Sequence, residues 1–117
     1  MKLSTLAEIL EASFLNGEDR VDLEIDKAGA SDLMSDILAA LSERGVVLTG
    51  LTTIQAIKTA IISGVTAIVF VRDKKPNSDV VALAEMHGIP LLSTPCSMLV
   101  ACGRLYSAGL TGLNGSR

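Results

Sequence analysis

The chain has no Trp, one Tyr and two Phe among its 117 residues. Any core must therefore be aliphatic, and a 49% hydrophobic content supplies one for a single domain. The same scarcity removes the stacking platforms of single-strand nucleic-acid binders. Basic residues do not cluster in a run, and the formal net charge is −3. Nucleic acid is therefore not an expected partner. Long apolar runs are also missing. The longest, Ala60 to Val71, is broken by Ser63, Gly64 and Thr66. It falls well short of the roughly 20 residues that a bilayer span needs, so no membrane is expected. The first residues carry Glu8 and Glu11 in a helical pattern and lack the apolar centre of a signal peptide. Two Cys without a secretory signal read as free thiols in a reducing cytoplasm.

Catalytic and cofactor signatures are absent as well. The chain contains neither a Gly-x-x-x-x-Gly-Lys-Ser/Thr loop nor a Gly-x-Gly-x-x-Gly turn. The single His, His87, has no Cys or carboxylate at metal-ligand spacing on its helix. It reads as a helix-capping or partly packed residue. No Ser–His–Asp set, carboxylate pair or metal cluster can be assembled. The expectation is a protein that is not an enzyme and that holds no cofactor and no metal.

What is present is a strand–turn–helix unit, repeated three times. Val46–Thr49 leads through Gly50-Leu51-Thr52 into a helical pattern, and Ala67–Val71 leads through Arg72–Asn77 into another. Ile89–Ser93 leads through Thr94-Pro95 into a third. Continuous aliphatic strands alternating with amphipathic helices imply a mostly parallel sheet covered on both faces. The expected fold is a three-layer α/β/α domain over residues 3–110, with strands near 21–26, 46–49, 67–71 and 89–92. Residues 111–117 are expected to be a flexible tail, because Gly109, Gly112 and Gly115 cannot hold a helix cheaply.

Local signals set the remaining elements. Ser4 is the expected N-cap of a first helix with the stripe Leu6, Ile9 and Leu10, ending near Ser13. Asn16-Gly17 reads as a turn. Val21, Leu23 and Ile25 alternate with Asp22, Glu24 and Asp26, which reads as a half-exposed edge strand. Gly29-Ala30-Ser31 opens a second helix, with Asp32 and Asp36 near its start and Met34, Ile37, Leu38 and Leu41 on its buried face. Arg44-Gly45 closes it. The third helix starts at Thr52 or Thr53, buries Ile54, Ile57 and Ile61, and stops at Gly64. The fourth is capped by Ser78, buries Val80, Leu83, Ala84 and His87, and stops at Gly88. The fifth has Thr94 as N-cap and Pro95 at its first position, with Met98, Ala101, Cys102 and Leu105 inward.

Loops leaving parallel strands share one edge, and that edge is where open α/β folds bind ligands. Three segments should meet there. Thr49, Gly50, Thr52 and Thr53 combine a tight turn, hydroxyls and a helix start that can cradle an anion, although plain capping also explains the threonines. Arg72, Asp73 and Lys74 bring cations that could pair with phosphate, although a charged loop is commonly just solvated. Ser93, Thr94, Cys96 and Ser97 form the third segment. Cys96, as second residue of the last helix, would lie at a dipole end that lowers a thiol pKa, but it has no neighbouring base. Cys102 reads as a buried structural thiol.

From Ala67 to Tyr106 the pattern Val71-Arg72-Asp73-Lys74-Lys75-Pro76, then Val80 to Thr94 with Leu83-Ala84-Glu85-Met86-His87-Gly88-Ile89-Pro90, resembles the DRTGG domain. It is also similar to the N-terminal domain of HPr kinase/phosphorylase. The opening Leu3 to Leu10 is similar to the first helix of that domain and of Mur ligase N-terminal domains. The resemblance implies an α/β/α domain with a regulatory or ligand-binding role, since DRTGG domains accompany nucleotide-sensing CBS domains. It carries over no catalytic residue, and kinase activity belongs to a separate P-loop domain that this chain lacks. Many members have a Gly-Gly pair where this chain has Asp73-Lys74. Short stand-alone members are often encoded near iron-only hydrogenase genes.

Three functions follow as expectations. The first is a regulatory module that binds an anionic metabolite or nucleotide at the strand-end edge. The second is an interaction or assembly module with a protein partner, including a second copy of the chain as a homodimer and a link to an iron-only hydrogenase system. The third, an enzyme using a low-pKa Cys96, is the weakest.

Overall fold

A computed structural model describes residues 1–38 and 43–113. A six-stranded sheet has the order β1-β5-β4-β3-β2-β6. Its strands are β1 (Ser13–Asn16), β2 (Lys27–Ala30), β3 (Gly45–Thr49), β4 (Ala67–Phe70), β5 (Leu91–Ser93) and β6 (Thr111–Gly112). The helices are α1 (Leu3–Leu10), α2 (Met34–Leu38), α3 (Ile54–Ser63), α4 (Ser78–Met86) and α5 (Met98–Ser107). Among the described strands, only β1 runs antiparallel, against β5. The central pair is parallel with Val46 opposite Ala67 and Thr49 opposite Phe70.

Period-two alternation divides the strands between two cores. Val46, Leu48, Ala67, Val69 and Leu92 pack with Leu3, Leu6 and Leu10 of α1 and Ala101 and Leu105 of α5. Val47, Ile68, Phe70 and Leu91 pack on the other face with Ile37 of α2, Ile57 of α3 and Val80 of α4. β3 and β4 are buried along their whole length, as the continuous aliphatic runs require. The three-layer α/β/α fold is therefore present.

Several elements differ from the sequence reading. Residues 21–26 form no sheet strand; a single bridge joins Lys2 to Glu24. The alternation is real, because Ile25 is buried while Asp22 and Glu24 are exposed. Its partner is the chain start rather than a strand. The carbonyls of Val21 and Leu23 accept from the N–H groups of Ser4 and Leu3. This satisfies the first turn of α1, which begins after Lys2 without a side-chain cap, so Ser4 is not the N-cap. α1 ends at Leu10, where Glu11 turns left-handed at φ 52°, and Ser13 starts β1 instead of closing the helix. Asn16-Gly17 does turn, with Gly17 at φ 78°.

Gly29 and Ala30 belong to β2 and do not open α2. Met34 and Ile37 are buried, but Leu38 is exposed, and Leu41 lies outside the described residues. Arg44, not Gly45, takes the left-handed conformation before β3. α3 starts after Thr53 and stops at Gly64 as expected. It buries Ala56, Ile57 and Ala60, leaving Ile54 and Ile61 half-buried. Asn77, not Ser78, caps α4, accepting from the N–H groups of Asp79 and Val80. His87 is exposed at the C-terminal end of that helix, its Nδ1 lying 3.1 Å from the Leu83 carbonyl. Leu83 is half-buried, and Gly88 supplies the stop at φ 69°. β5 starts two residues later than expected, after Pro90. Ser97, not Thr94, caps α5. The tail does not fray from residue 111: Thr111 and Gly112 pair with Lys27 and Ala28, and Leu113 is buried. The rest of the expected tail, 114–117, lies outside the described residues.

Candidate functional site

The C-terminal ends of β2, β3, β4 and β5 meet at one edge, and the three expected segments meet there. The loop after β4 is tied by its backbone to the loop after β5. The N–H of Arg72 donates to the Cys96 carbonyl at 2.9 Å, and that of Asp73 to the Thr94 carbonyl at 2.8 Å. Ser93 Oγ donates to the Lys74 carbonyl at 2.9 Å. Arg72 and Asp73 are both left-handed, at φ 56° and 57°. Two consecutive non-glycine residues in that region are costly and need an over-determining frame. The three cross-loop bonds supply it.

A residue outside the expected set organises the neighbouring turn. Asp32, two positions beyond β2, accepts through Oδ1 from the Gly50 N–H at 2.6 Å and from Thr49 Oγ1 at 2.9 Å. The hydrogen bond from Gly50 holds this carboxyl below the ordinary value of 3.8, followed by that from Thr49 and by the charges of Lys74 and Arg72, while partial desolvation opposes them. Lys74 reaches over the same turn: its Nζ lies 3.6 Å from the point where a Cβ on Gly50 would stand. Asp32 was legible only as a helix-start acid, because nothing local in the chain announces β2.

The edge residues divide by what their polar groups already do. Thr49 bonds Asp32 and accepts from the Leu51 N–H. Thr94 Oγ1 donates to the Leu10 carbonyl at 2.5 Å and accepts from the Cys96 N–H at 3.1 Å. Ser97 accepts from the Val100 N–H, capping α5. Cys96 therefore precedes the helix and is not its second residue. It is buried, with Sγ 3.6 Å from the Leu10 carbonyl. The helix-start position expected for it is not formed. Thr53, by contrast, stands at the start of α3 with extended backbone and no side-chain capping bond. Thr52 is half-buried and Thr53 exposed beside it.

Beside this edge a hollow of about 370 Å³ opens between β2 and α5. Cys102 lines it and is only half-buried, and that burial raises its thiol pKa. Among the described residues no group of three or more His, Cys, Asp or Glu is placed to hold a metal ion. No helix among them is long and apolar enough to cross a membrane.

No family model matches this chain. No curated protein matches it either. Among solved structures it is similar to the CBS and DRTGG domains of the regulatory region of Clostridium perfringens pyrophosphatase, complexed with an activator, diadenosine tetraphosphate. The TM-score is 0.75 at 16% identity, over 99% of this chain and 50% of that one. The chain thus spans half the length of that regulatory region, and the two share a fold.

Proposed function

We propose that this chain is a non-catalytic regulatory module that binds an anionic metabolite, a nucleotide foremost, at the strand-end edge. One observation carries the reading: Lys74 Nζ stands over the Gly50 turn that leads into α3, whose first N–H groups receive no side-chain cap. A helix start with open N–H groups and a neighbouring cation favours an anion. The contacts would come from Thr52, Thr53, Arg72 and Lys74. Thr49, Gly50 and Asp32 shape the turn, and Asp73, Ser93, Thr94, Cys96 and Ser97 hold the loops in place. The nucleotide activator of the structurally similar regulatory region supports the ligand class. The resemblance to DRTGG domains supports a regulatory role in the cytoplasm. A thermal-shift series with nucleotides and inorganic pyrophosphate tests the reading. Binding at 100 times Kd adds about 2.7 kcal/mol to stability and raises Tm. Arg72→Ala and Lys74→Ala should each weaken binding, and added salt should weaken it further. No Tm rise with any anion at millimolar concentration overturns the proposal.

A second reading is an assembly module acting with a protein partner, in an iron-only hydrogenase system or as a homodimer. It is favoured by the apolar residues that α5 leaves outside, Leu99 at 83% exposure and Tyr106 at 64%. Sedimentation that gives a monomer across the micromolar range would remove the homodimer.

A further inference from the structure

Asp32 and Lys74 stand on either side of Gly50 without pairing. Both carboxylate oxygens of Asp32 lie 3.5 Å from the point where a Cβ on Gly50 would stand, and Lys74 Nζ lies 3.6 Å from the same point. Among the described residues no ion pair joins them. Each is mounted on its own loop, and each loop is tied to the sheet. Asp32 is anchored by Oδ1, which accepts from the Gly50 N–H and from the hydroxyl of Thr49, a fully buried residue of β3. Its Oδ2 receives no hydrogen bond among the described residues. The Lys74 backbone is held by Ser93 of β5, whose Oγ donates to its carbonyl. Gly50 is not one of the left-handed glycines, so its lack of a side chain serves space rather than backbone conformation.

A carboxylate only accepts hydrogen bonds and an ammonium only donates them. A group set between Asp32 and Lys74 must therefore donate to one and accept from the other. A carbonyl or an ionised phosphate oxygen has nothing to donate to Asp32. An ammonium has nothing with which to accept from Lys74. A hydroxyl does both. The carboxylate also acts on any anion nearby. Asp32 interacts with the charges of both Lys74 and Arg72, so it opposes an anion paired with those cations. A bare anion meets this repulsion uncompensated, whereas one that carries a hydroxyl gains a bond from the same group. Rejection of the wrong ligand contributes to specificity alongside attraction of the right one.

We infer that Asp32 is a specificity-determining residue: the site takes a phosphate monoester that carries a hydroxyl near its phosphate, with the hydroxyl between Asp32 Oδ2 and Lys74 Nζ in front of Gly50. This deepens the anion-binding reading and rests on it.

Calorimetric titrations with glycerol 3-phosphate, propyl phosphate and inorganic pyrophosphate test it. Propyl phosphate has the same carbon chain and phosphate and lacks the hydroxyls. The variants are Asp32→Asn and Gly50→Ala. An added Cβ at Gly50 meets its neighbours at ordinary contact distance, so this change fills the gap without forcing the fold. The Tm of each variant separates loss of binding from loss of structure. The native chain should bind glycerol 3-phosphate at least about 10-fold more tightly than propyl phosphate, the scale of one hydrogen bond to a charged group. Asp32→Asn should weaken glycerol 3-phosphate and tighten both propyl phosphate and pyrophosphate, an inversion that a merely structural role would not produce. Gly50→Ala should weaken glycerol 3-phosphate and leave propyl phosphate nearly unchanged. Equal affinity of the native chain for the two esters overturns the inference and leaves the anion reading standing. So does parallel weakening of all three probes by Asp32→Asn, which would make Asp32 a residue that only shapes the turn. No binding of any probe removes both readings.

Discussion

Thr94 shows how a residue type that suits a ligand site can serve the fold instead. Its hydroxyl closes the C-terminal end of α1 through the Leu10 carbonyl and accepts the Cys96 N–H, all within the buried interior. Thr94→Val keeps the shape, leaves the Cys96 N–H without its partner and leaves the Leu10 carbonyl only the weak contact with Cys96 Sγ. The expected cost is about 2 kcal/mol, since a buried group stripped of its partner bears its full desolvation penalty. Urea denaturation measures it, and an unchanged midpoint would contradict this role. Asp32 works in the opposite direction, as an acid whose role depends on its charge. Its carboxyl is held below 3.8 in the folded chain, chiefly by the Gly50 N–H. A lowered folded pKa means a stability contribution fully present above the unfolded value. That contribution is lost as pH falls below it and through the folded value. Tm should therefore drop more steeply between pH 5 and pH 2 (about the range of ordinary carboxylate titration) in the native chain than in Asp32→Asn. Parallel Tm–pH curves would refute the assignment.

At the scale of elements, β2 carries the most consequence for the site. Lys27-Ala28-Gly29-Ala30 contains none of the β-branched or aromatic residues that favour strands. It is a strand because β3 pairs with it on one side and β6 on the other. Gly29 has a specific reason to lack a side chain: an added Cβ would lie 2.7 Å from Leu113 Cγ. Gly29→Ala must displace Leu113 and loosen β6. A destabilisation of about 1–3 kcal/mol is expected, the usual cost of overpacking. Faster amide exchange at Thr111 and Gly112 should accompany it, and unchanged exchange would show that Leu113 does not hold β6. The loop after β4 is the second element of note. Asp73 is left-handed where many proteins of the resembled family carry Gly, so the neighbouring loops, rather than a permissive residue, maintain its shape.

At the scale of the whole molecule, two cores sandwich one sheet, and Phe70 is the largest fully buried side chain. Phe70→Ala should cost about 3–5 kcal/mol, enough to threaten folding of a domain this size. Leu99→Ser, on the outer face of α5, should change stability by about 0.5 kcal/mol or less. Chemical denaturation of both variants checks the contrast, and similar midpoints would mean that Leu99 is covered in solution. The layered α/β architecture was legible in the sequence, because Val46–Thr49 and Ala67–Phe70 are continuous, largely aliphatic runs that call for a doubly covered parallel sheet. So was the meeting of the loops, since strands of one direction deliver their ends to one edge. Folding had to bring distant segments together before residues 21–25 could serve the start of α1, a strand could form at 27–30, and Asp32 could occupy the Gly50 turn. Each of these depends on a partner far along the chain, and local pattern carries no signal for a hydrogen bond whose other half is set by folding.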